Sequence, residues 1–227
     1  MAASRPAQEA TPPKQLLELD GVPILFLTLR KLAACARIRQ IVVAVRPSDQ
    51  PAVAERLSRE DYAARVGVVE GGDSRQASVA NALRCVPDGT ELVLVHDAVR
   101  PFVEPVLIER VLEVAAETGA AILGLPASDT VKQVEPAAGG HTSRIAATIP
   151  RERIVLAQTP QAVRFDWLRE ALARAAREGF RGSDEAVLVE RLGHEVSVVM
   201  GSERNIKITT PADLELARFL LAQEQQA

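Results

Sequence analysis

The stretch Glu91-Leu92-Val93-Leu94-Val95-His96-Asp97-Ala98-Val99-Arg100-Pro101-Phe102 decides the fold. Its apolar run, Leu92 to Val95, is unbroken, as in a strand buried on both faces of a parallel sheet. The run stops at His96-Asp97, a guanidinium follows at Arg100, and Pro101 closes the turn. Ligands of open α/β sheets sit just beyond the carboxyl ends of the strands. Asp97 and Arg100 therefore point charge at the expected ligand site. A second reading, in which Asp97 only caps the next helix, stays open from this segment alone.

Outward from this strand the pattern alternates. Upstream, Ile24, Leu27, Leu32 and Cys35 recur at helical spacing within Pro23–Ala36, Ile41–Val45 reads as a strand and Gln50–Glu60 as a helix. Val66–Val69 is a strand that runs into Gly71-Gly72-Asp73, and Ser74–Arg84 is helical. Downstream, Pro105–Thr118 is a helix and Ala121–Leu125 a strand. The rhythm breaks at Ser128. Asp129–Val134 and Ile145–Thr148 read as two strands around a Pro/Ala/Gly/Gly/His loop, a hairpin arm outside the main sheet. Helices follow at Asp166–Gly179 and Asp184–Leu192, then strands at Val196–Met200 and Ile206–Ile208. A closing helix, Pro211–Gln223, carries Pro at its first turn. The expected fold class is α/β: a doubly wound, mostly parallel sheet with a protruding β-arm, built as one domain over residues 1–227 with the arm at about 128–156.

Composition narrows the function classes. With 227 residues the chain is long enough for one substantial core, and 25% charged with 47% hydrophobic residues is ordinary globular composition. A net charge of -3 gives no general attraction to nucleic acid or to an anionic membrane, so recognition of phosphate has to be local. No apolar run approaches a membrane span and the N-terminus lacks the apolar core of a secretory signal, so the expected location is the cytoplasm. Cys35 and Cys85 form no metal-ligand pattern and read as buried small hydrophobes in a reducing compartment.

Polar clusters recur where the inferred strands end. Gly71-Gly72-Asp73-Ser74-Arg75-Gln76-Ala77-Ser78 follows one strand and opens a helix. Its glycines let backbone approach a ligand, and Ser78 lies in the first turn of a helix, whose N-terminus favours anions. Asp73 reads equally well as a helix cap. Asp129-Thr130-Val131-Lys132 follows another strand, and Gln158-Thr159-Pro160-Gln161 precedes a helix. Asn205-Ile206-Lys207-Ile208-Thr209-Thr210 places Lys207 and Thr209 on one face of a short strand, although a Thr before Pro211 is also a natural cap. Lys14 sits behind the rigid Pro12-Pro13. No Ser-His-Asp or Cys-His set and no zinc spacing is apparent. Cations (Lys14, Arg100, Arg151, Lys207), hydroxyls (Ser78, Thr130, Thr159, Thr209) and few acids (Asp73, Asp97) suit phosphate substrates and a divalent metal. Phosphoryl and nucleotidyl transfer need mainly positioning and charge neutralisation.

These motifs, together with Leu17-Glu18-Leu19-Asp20-Gly21-Val22-Pro23-Ile24, stand in an order that resembles the 2-C-methyl-D-erythritol 4-phosphate cytidylyltransferases, a branch of the sugar-phosphate cytidylyltransferases. The resemblance runs from about Pro12 to the C-terminal helix. It implies a Rossmann-like nucleotidyltransferase fold and transfer of a cytidylyl group from CTP to methylerythritol phosphate with Mg2+ and release of pyrophosphate, in non-mevalonate isoprenoid biosynthesis. It assigns Lys14, Arg151 and Lys207 to catalysis. Gly72, Asp73, Ser78 and Ala98 fall on the cytidine side. Asp97, Arg100, Thr130, Thr159 and Thr209 surround the sugar phosphate, Asp97 also being the metal ligand. The family's homodimer, in which the arm reaches across, implies that Thr130 and Arg151 serve the neighbouring subunit's site. The nearest alternative is a ribitol-5-phosphate cytidylyltransferase. A non-catalytic dimeric relative is the alternative from another class.

One part of the family pattern is missing. The family opens with a strand ending in a loop of the type Ala-Ala-Gly-x-Gly-x-Arg-Met shortly before Pro-Lys-Gln. Here the residues before Pro13-Lys14-Gln15 contain no glycine, and the first glycine is Gly21. The expectation is a gap or an unpaired strand edge in the sheet, with weak CTP binding. Either further sequence precedes Met1 or the chain is a relative that has lost the loop.

Overall fold

The computed structural model describes residues 13–136 and 143–226. Most of the Pro/Ala/Gly/Gly/His loop and the segment around Arg5 lie outside these residues. The described elements are, in order, β1 (Glu18–Leu19), β2 (Val22–Pro23), α1 (Ile24–Ala34), β3 (Ile41–Val45), α2 (Gln50–Leu57), β4 (Val66–Glu70), α3 (Arg75–Leu83), β5 (Leu92–Val95), α4 (Pro105–Thr118), β6 (Ala120–Pro126), β7 (Val131–Pro136), β8 (Ser143–Ile149), β9 (Val155–Arg164), α5 (Phe165–Glu178), α6 (Glu185–Glu190), β10 (Ser197–Met200) and α7 (Pro211–Gln226).

Local chemistry accounts for the helix boundaries. Ser74 Oγ accepts from the Ala77 N–H and starts α3, and Asp184 does the same for Val187 at α6. Helices α4 and α5 end where Gly119 and Gly179 take φ of 95° and 64°, a left-handed turn that costs glycine little. In α4 the buried residues Ile108, Val111, Leu112 and Ala115 fall at the spacing of one helix face.

The fold is mixed α/β, but its sheets are small. β6 stands between β10, to which it is parallel, and β9, to which it is antiparallel; β9 pairs antiparallel with β5 on its other side. β3 pairs with β4 in parallel as a separate two-stranded sheet. The expectation of a mostly parallel sheet is therefore corrected. The cause is β9, a ten-residue strand outside the sequence-based expectation, which enters antiparallel between β5 and β6. Its sequence hides it: Gln158, Thr159, Pro160 and Gln161 interrupt the apolar run, yet Gln158, Thr159 and Gln161 are buried. Two further expectations change. Ile206–Ile208 is not a strand; among the described residues its backbone tie to the strand-end loop is a single bond from Ile208 N–H to the Val99 carbonyl. Cys35 is buried as expected, but Cys85 is exposed.

Among the described residues nothing pairs with the second edge of β3 or of β5. Between them lies a cavity of about 1120 Å³, lined by consecutive residues Ile41–Ala44 of one strand and Leu92–Val95 of the other. Consecutive lining residues mean that the cavity looks onto strand edges, not onto one face of a sheet. β7 and β8 pair only with each other, antiparallel, and none of their described side chains is buried. At the other end of the chain, α7 returns to the start: Leu19 and Ile24 pack with Phe102, Ile208, Ala217 and Leu220. That cluster brings the Lys14 turn and the Lys207 segment to the same strand end.

Candidate active site

β5 delivers Asp97 where the sequence places it, and the surroundings explain its state. Asp97 Oδ1 accepts from Arg75 Nε at 3.0 Å, and Oδ2 accepts from Lys207 Nζ at 2.8 Å. Arg100 Nε lies 3.8 Å from Oδ2. Burial alone would push this carboxyl up. The Lys207 hydrogen bond and the charges of Arg75 and Lys207 outweigh it, and Asp97 stays below the usual carboxylate range. Arg100 is buried and donates to the Asn205 carbonyl at 2.6 Å, with burial drawing its own pKa down.

A second set holds the backbone of this turn. Thr159 Oγ1 accepts from the Asp97 N–H at 3.0 Å and lies 3.0 Å from His96 Nδ1. His96 Nε2 is 3.1 Å from the Arg100 carbonyl, which can only accept. The chain is satisfied when His96 is neutral, Nε2–H donating and Nδ1 accepting from the Thr159 hydroxyl. Burial agrees, lowering the imidazole pKa to about 4. Thr159 reaches this point because β9 bulges: Ile122 pairs with Gln161 and Leu123 with Gln158, leaving Thr159 and Pro160 out of the ladder. Its hydroxyl thus faces the protein.

The glycine loop is pre-shaped. Ser78 Oγ accepts from the Gly72 N–H at 3.0 Å and donates to the Ser74 carbonyl at 2.9 Å. A Cβ on Gly72 would lie 2.4 Å from that of Ala77, so no larger residue lets the loop close on α3. Ser74 is the cap of α3, and Asp73 stands exposed one residue before it. Ala98 accepts from the Thr28 hydroxyl through its carbonyl. Arg75, Ser78, Asp97 and Ala98 also line the cavity between β3 and β5.

The remaining expected residues divide in two. Lys14 Nζ donates to the Thr209 carbonyl, which brings the chain start to the Lys207 segment. Thr209 N–H and hydroxyl both turn to Asp213 Oδ2, and Asp213 N–H returns to Thr210 Oγ1, a capping box for α7. Thr130 is exposed, and Arg151 donates to the Ser128 carbonyl at 2.7 Å at the base of the arm. Among the described residues no hydrogen bond or ion pair ties either of them to the Asp97 group. Sequence reading missed Arg75, Glu185, His96 and Gln161 as parts of the site. Arg75 stood in the Gly-Gly-Asp-Ser-Arg motif, and His96 and Gln161 stood in quoted motifs with no role given to them; Glu185 gave no signal, because a buried polar residue looks like a surface one in a sequence.

The arrangement provides cations around one ionised carboxylate, beside a glycine loop fixed by its bonds to Val45 and Ser78. Comparison with known proteins gives this chemistry a family. The family described as 2-C-methyl-D-erythritol 4-phosphate cytidylyltransferase matches residues 3–223. The protein of that name from Acidobacterium capsulatum is 54% identical over 212 residues, 93% of this chain and 88% of its own length. That from Solibacter usitatus is 53% identical over 211 residues, 93% and 86%. Among solved structures, the Thermus thermophilus 2-C-methyl-D-erythritol 4-phosphate cytidylyltransferase superposes with a TM-score of 0.77 at 39% identity, covering 92% of this chain and 94% of that one. The 4-diphosphocytidyl-2C-methyl-D-erythritol synthase of Anaerococcus prevotii gives 0.82 at 28%, covering 90% and 88%. This chain belongs to the 2-C-methyl-D-erythritol 4-phosphate cytidylyltransferase family.

Proposed function

We propose that this chain transfers the cytidylyl group of CTP to 2-C-methyl-D-erythritol 4-phosphate. An oxygen of the substrate phosphate bonds to the α-phosphorus of CTP, the bond from that phosphorus to the β-phosphate oxygen breaks, and pyrophosphate leaves. The observation that carries the reading is the gathering of Arg75, Arg100 and Lys207 on Asp97 beside the Gly71–Ser78 loop. In-line transfer between phosphates accumulates negative charge, which fixed cations such as Arg100 and Lys207 neutralise without reorganising. Lys207 is the group for the attacking phosphate and Lys14 for the transferred one. The exposed Asp73 carboxylate suits the cytosine amino group, a donor that carboxylates accept from. Thr159 serves indirectly, by holding the Asp97 backbone, and Thr209 through its carbonyl to Lys14.

Magnesium fits this site only as an ion shared with the nucleotide. Among the described residues no three acidic, histidine or cysteine side chains converge on one point, and both Asp97 oxygens already accept from cations. Mg2+ commonly binds through one or two carboxylates plus substrate phosphates, so Asp97 would hold it and the ion would neutralise phosphate charge.

The assembly we propose is a homodimer. Val155 of β9 and Val198 and Met200 of β10 are exposed apolar side chains on one face of the sheet, on the two strands that flank β6, and Val134 and Ile145 are exposed on the arm. Such a surface calls for a cover. A cytoplasmic location agrees with two unpaired cysteines, and no described helix is long and apolar enough to cross a membrane.

The test is pyrophosphate release from CTP with methylerythritol phosphate and, separately, with ribitol 5-phosphate. Preference for the first supports the proposal. Preference for the second makes the chain a ribitol-5-phosphate cytidylyltransferase. CTP binding without release on either makes it a non-catalytic relative.

A further inference from the structure

Arg75 is the first residue of α3, and its guanidinium is held from two sides. Nη1 and Nη2 donate to the two carboxylate oxygens of Glu185 at 2.7 and 2.9 Å, while Nε donates to Asp97 Oδ1 at 3.0 Å. Glu185 is 1% exposed and opens α6. It is fixed in turn by Gln161 of β9, also 1% exposed, whose side-chain oxygen accepts from the N–H groups of Glu185 and Ala186 at 3.1 and 3.0 Å. The charges alternate along one line: Glu185, Arg75, Asp97, Lys207.

A buried ion pair contributes little net stability against an apolar pair of the same size, because both charges lose their water. What the bidentate contact does supply is orientation. The guanidinium is a rigid plane, so two bonds to a buried, anchored carboxylate leave Nε a single direction. Along that direction lies Oδ1 of Asp97, and this leaves Oδ2 to face Lys207. An Asp97 free to rotate would turn both oxygens to the Lys207 ammonium and tie it up.

We infer that the Glu185–Arg75 pair is a positioning device for the reaction: it holds one oxygen of Asp97 so that Lys207 stays available to the substrate phosphate. The inference rests on the proposed function for its catalytic consequence and on geometry alone for the device itself. Arg75 touches neither substrate in this reading; it acts through Asp97. The competing account is that Arg75 only neutralises Glu185 and ties α3 to α6.

Two measurements decide. The first needs no substrate: hydrogen exchange of the Arg75 Nε–H followed by NMR in the full chain. Glu185→Gln removes the bidentate hold, and exchange should accelerate by roughly tenfold or more if Glu185 locks Arg75 on Asp97. An unchanged rate overturns the inference. The second is a double-mutant cycle on turnover. Arg75→Gln should lower kcat by roughly tenfold or more with the KM for CTP within about twofold, and in a Lys207→Ala background the same change should cost less than about threefold. Losses that multiply would mean that Arg75 does not act through Lys207, and the inference fails. If Arg75→Gln does not fold, Arg75→Lys keeps a charge opposite Glu185 but cannot hold two carboxylates in one plane; it should show the same non-additivity, and parental turnover in it overturns the inference. If the unmodified chain turns over neither sugar phosphate, the proposed function is wrong, and the exchange measurement still decides the positioning device.

Discussion

Lys207 and His96 meet at the same strand end, and substitutions at the two should act in different ways. Lys207 donates to Asp97, and we assign it to the attacking phosphate. Removing it deletes a charge-assisted contact that tightens as the phosphates approach, worth roughly 2–4 kcal/mol in the transition state. Lys207→Ala should lower turnover by at least about tenfold while the melting temperature holds; parental turnover would remove Lys207 from the mechanism. His96 bears on stability instead. It is partly buried, neutral and bonded on both ring nitrogens, and desolvation lowers its pKa to about 4, whereas an unfolded histidine titrates near 6.5. Between these values the unfolded chain binds a proton that the folded one refuses, so stability is complete above about pH 6.5 and is lost as pH falls toward 4. Urea unfolding should show a loss of about 2 kcal/mol from pH 7 to pH 5 that His96→Gln, which cannot titrate, lacks. Equal pH dependence in both chains would mean that His96 is not the titrating group. Asp97 and Arg100 were legible in the sequence because a strand that stops at a charged turn is a recognisable pattern. His96 and Thr159 stand beside them in the same motifs, yet their hydrogen-bonded loop depends on a bulge in β9 that no local signal announces.

At the scale of elements, the helices were legible and the sheet was not. α4 and α5 carry one apolar face each and end at a glycine, so period and punctuation agree. β9 carries Gln158, Thr159 and Gln161 into the interior, where each finds partners, and an apolar-run criterion passes over it. The parallel reading failed with it, since an antiparallel strand between β5 and β6 reverses two pairings at once. The expected unpaired edge, by contrast, has a counterpart in the structure: among the described residues β3 and β5 present unpaired edges across a cavity of about 1120 Å³. In its strand lining Val42, Ala44 and Leu92–Val95 are apolar and only partly covered, while Ile41 and Val43 are buried. A graft ahead of Pro13 of a β-branched strand followed by Ala-Ala-Gly-x-Gly-x-Arg-Met should fill it and bring backbone N–H groups to the triphosphate. Burying two or three such side chains against both edges is worth on the order of 3 kcal/mol after ordering costs, or roughly 10 °C in melting temperature for a chain of this size. CTP affinity should rise with it. A graft that leaves both melting temperature and CTP affinity unchanged would mean that the cavity is not a strand position.

The whole molecule poses a problem that one subunit does not solve. Lys14, Asp97, Arg100 and Lys207 meet at one strand end, but Thr130 and Arg151 sit on the arm, with no hydrogen bond or ion pair to that group among the described residues. Arg151 is anchored at the arm's base through the Ser128 carbonyl. The arm itself is a two-stranded ribbon whose described side chains are all at least partly exposed, and a hairpin alone is marginally stable in water. Exposed Val134 and Ile145 on the ribbon, with Val155, Val198 and Met200 on the strands near its base, give both pieces a reason to be covered by a second copy. A two-fold pairing would then carry each Arg151 toward the partner's strand end. Complementation tests this directly. An Arg151→Ala chain and a Lys207→Ala chain are each expected to be nearly inactive as homodimers. In a mixed dimer in which the arms cross, one site combines the defective arm with the defective strand end, and the other site combines both intact parts. About half of the dimers formed from an equal mixture are mixed, each with one whole site, so activity should return to roughly a quarter of the parental value. Activity no greater than that of either variant alone, with subunit exchange confirmed by a mass-labelled partner, would mean that the arm serves its own subunit. In that case Arg151 would have to reach Asp97 by a movement of the arm within one chain.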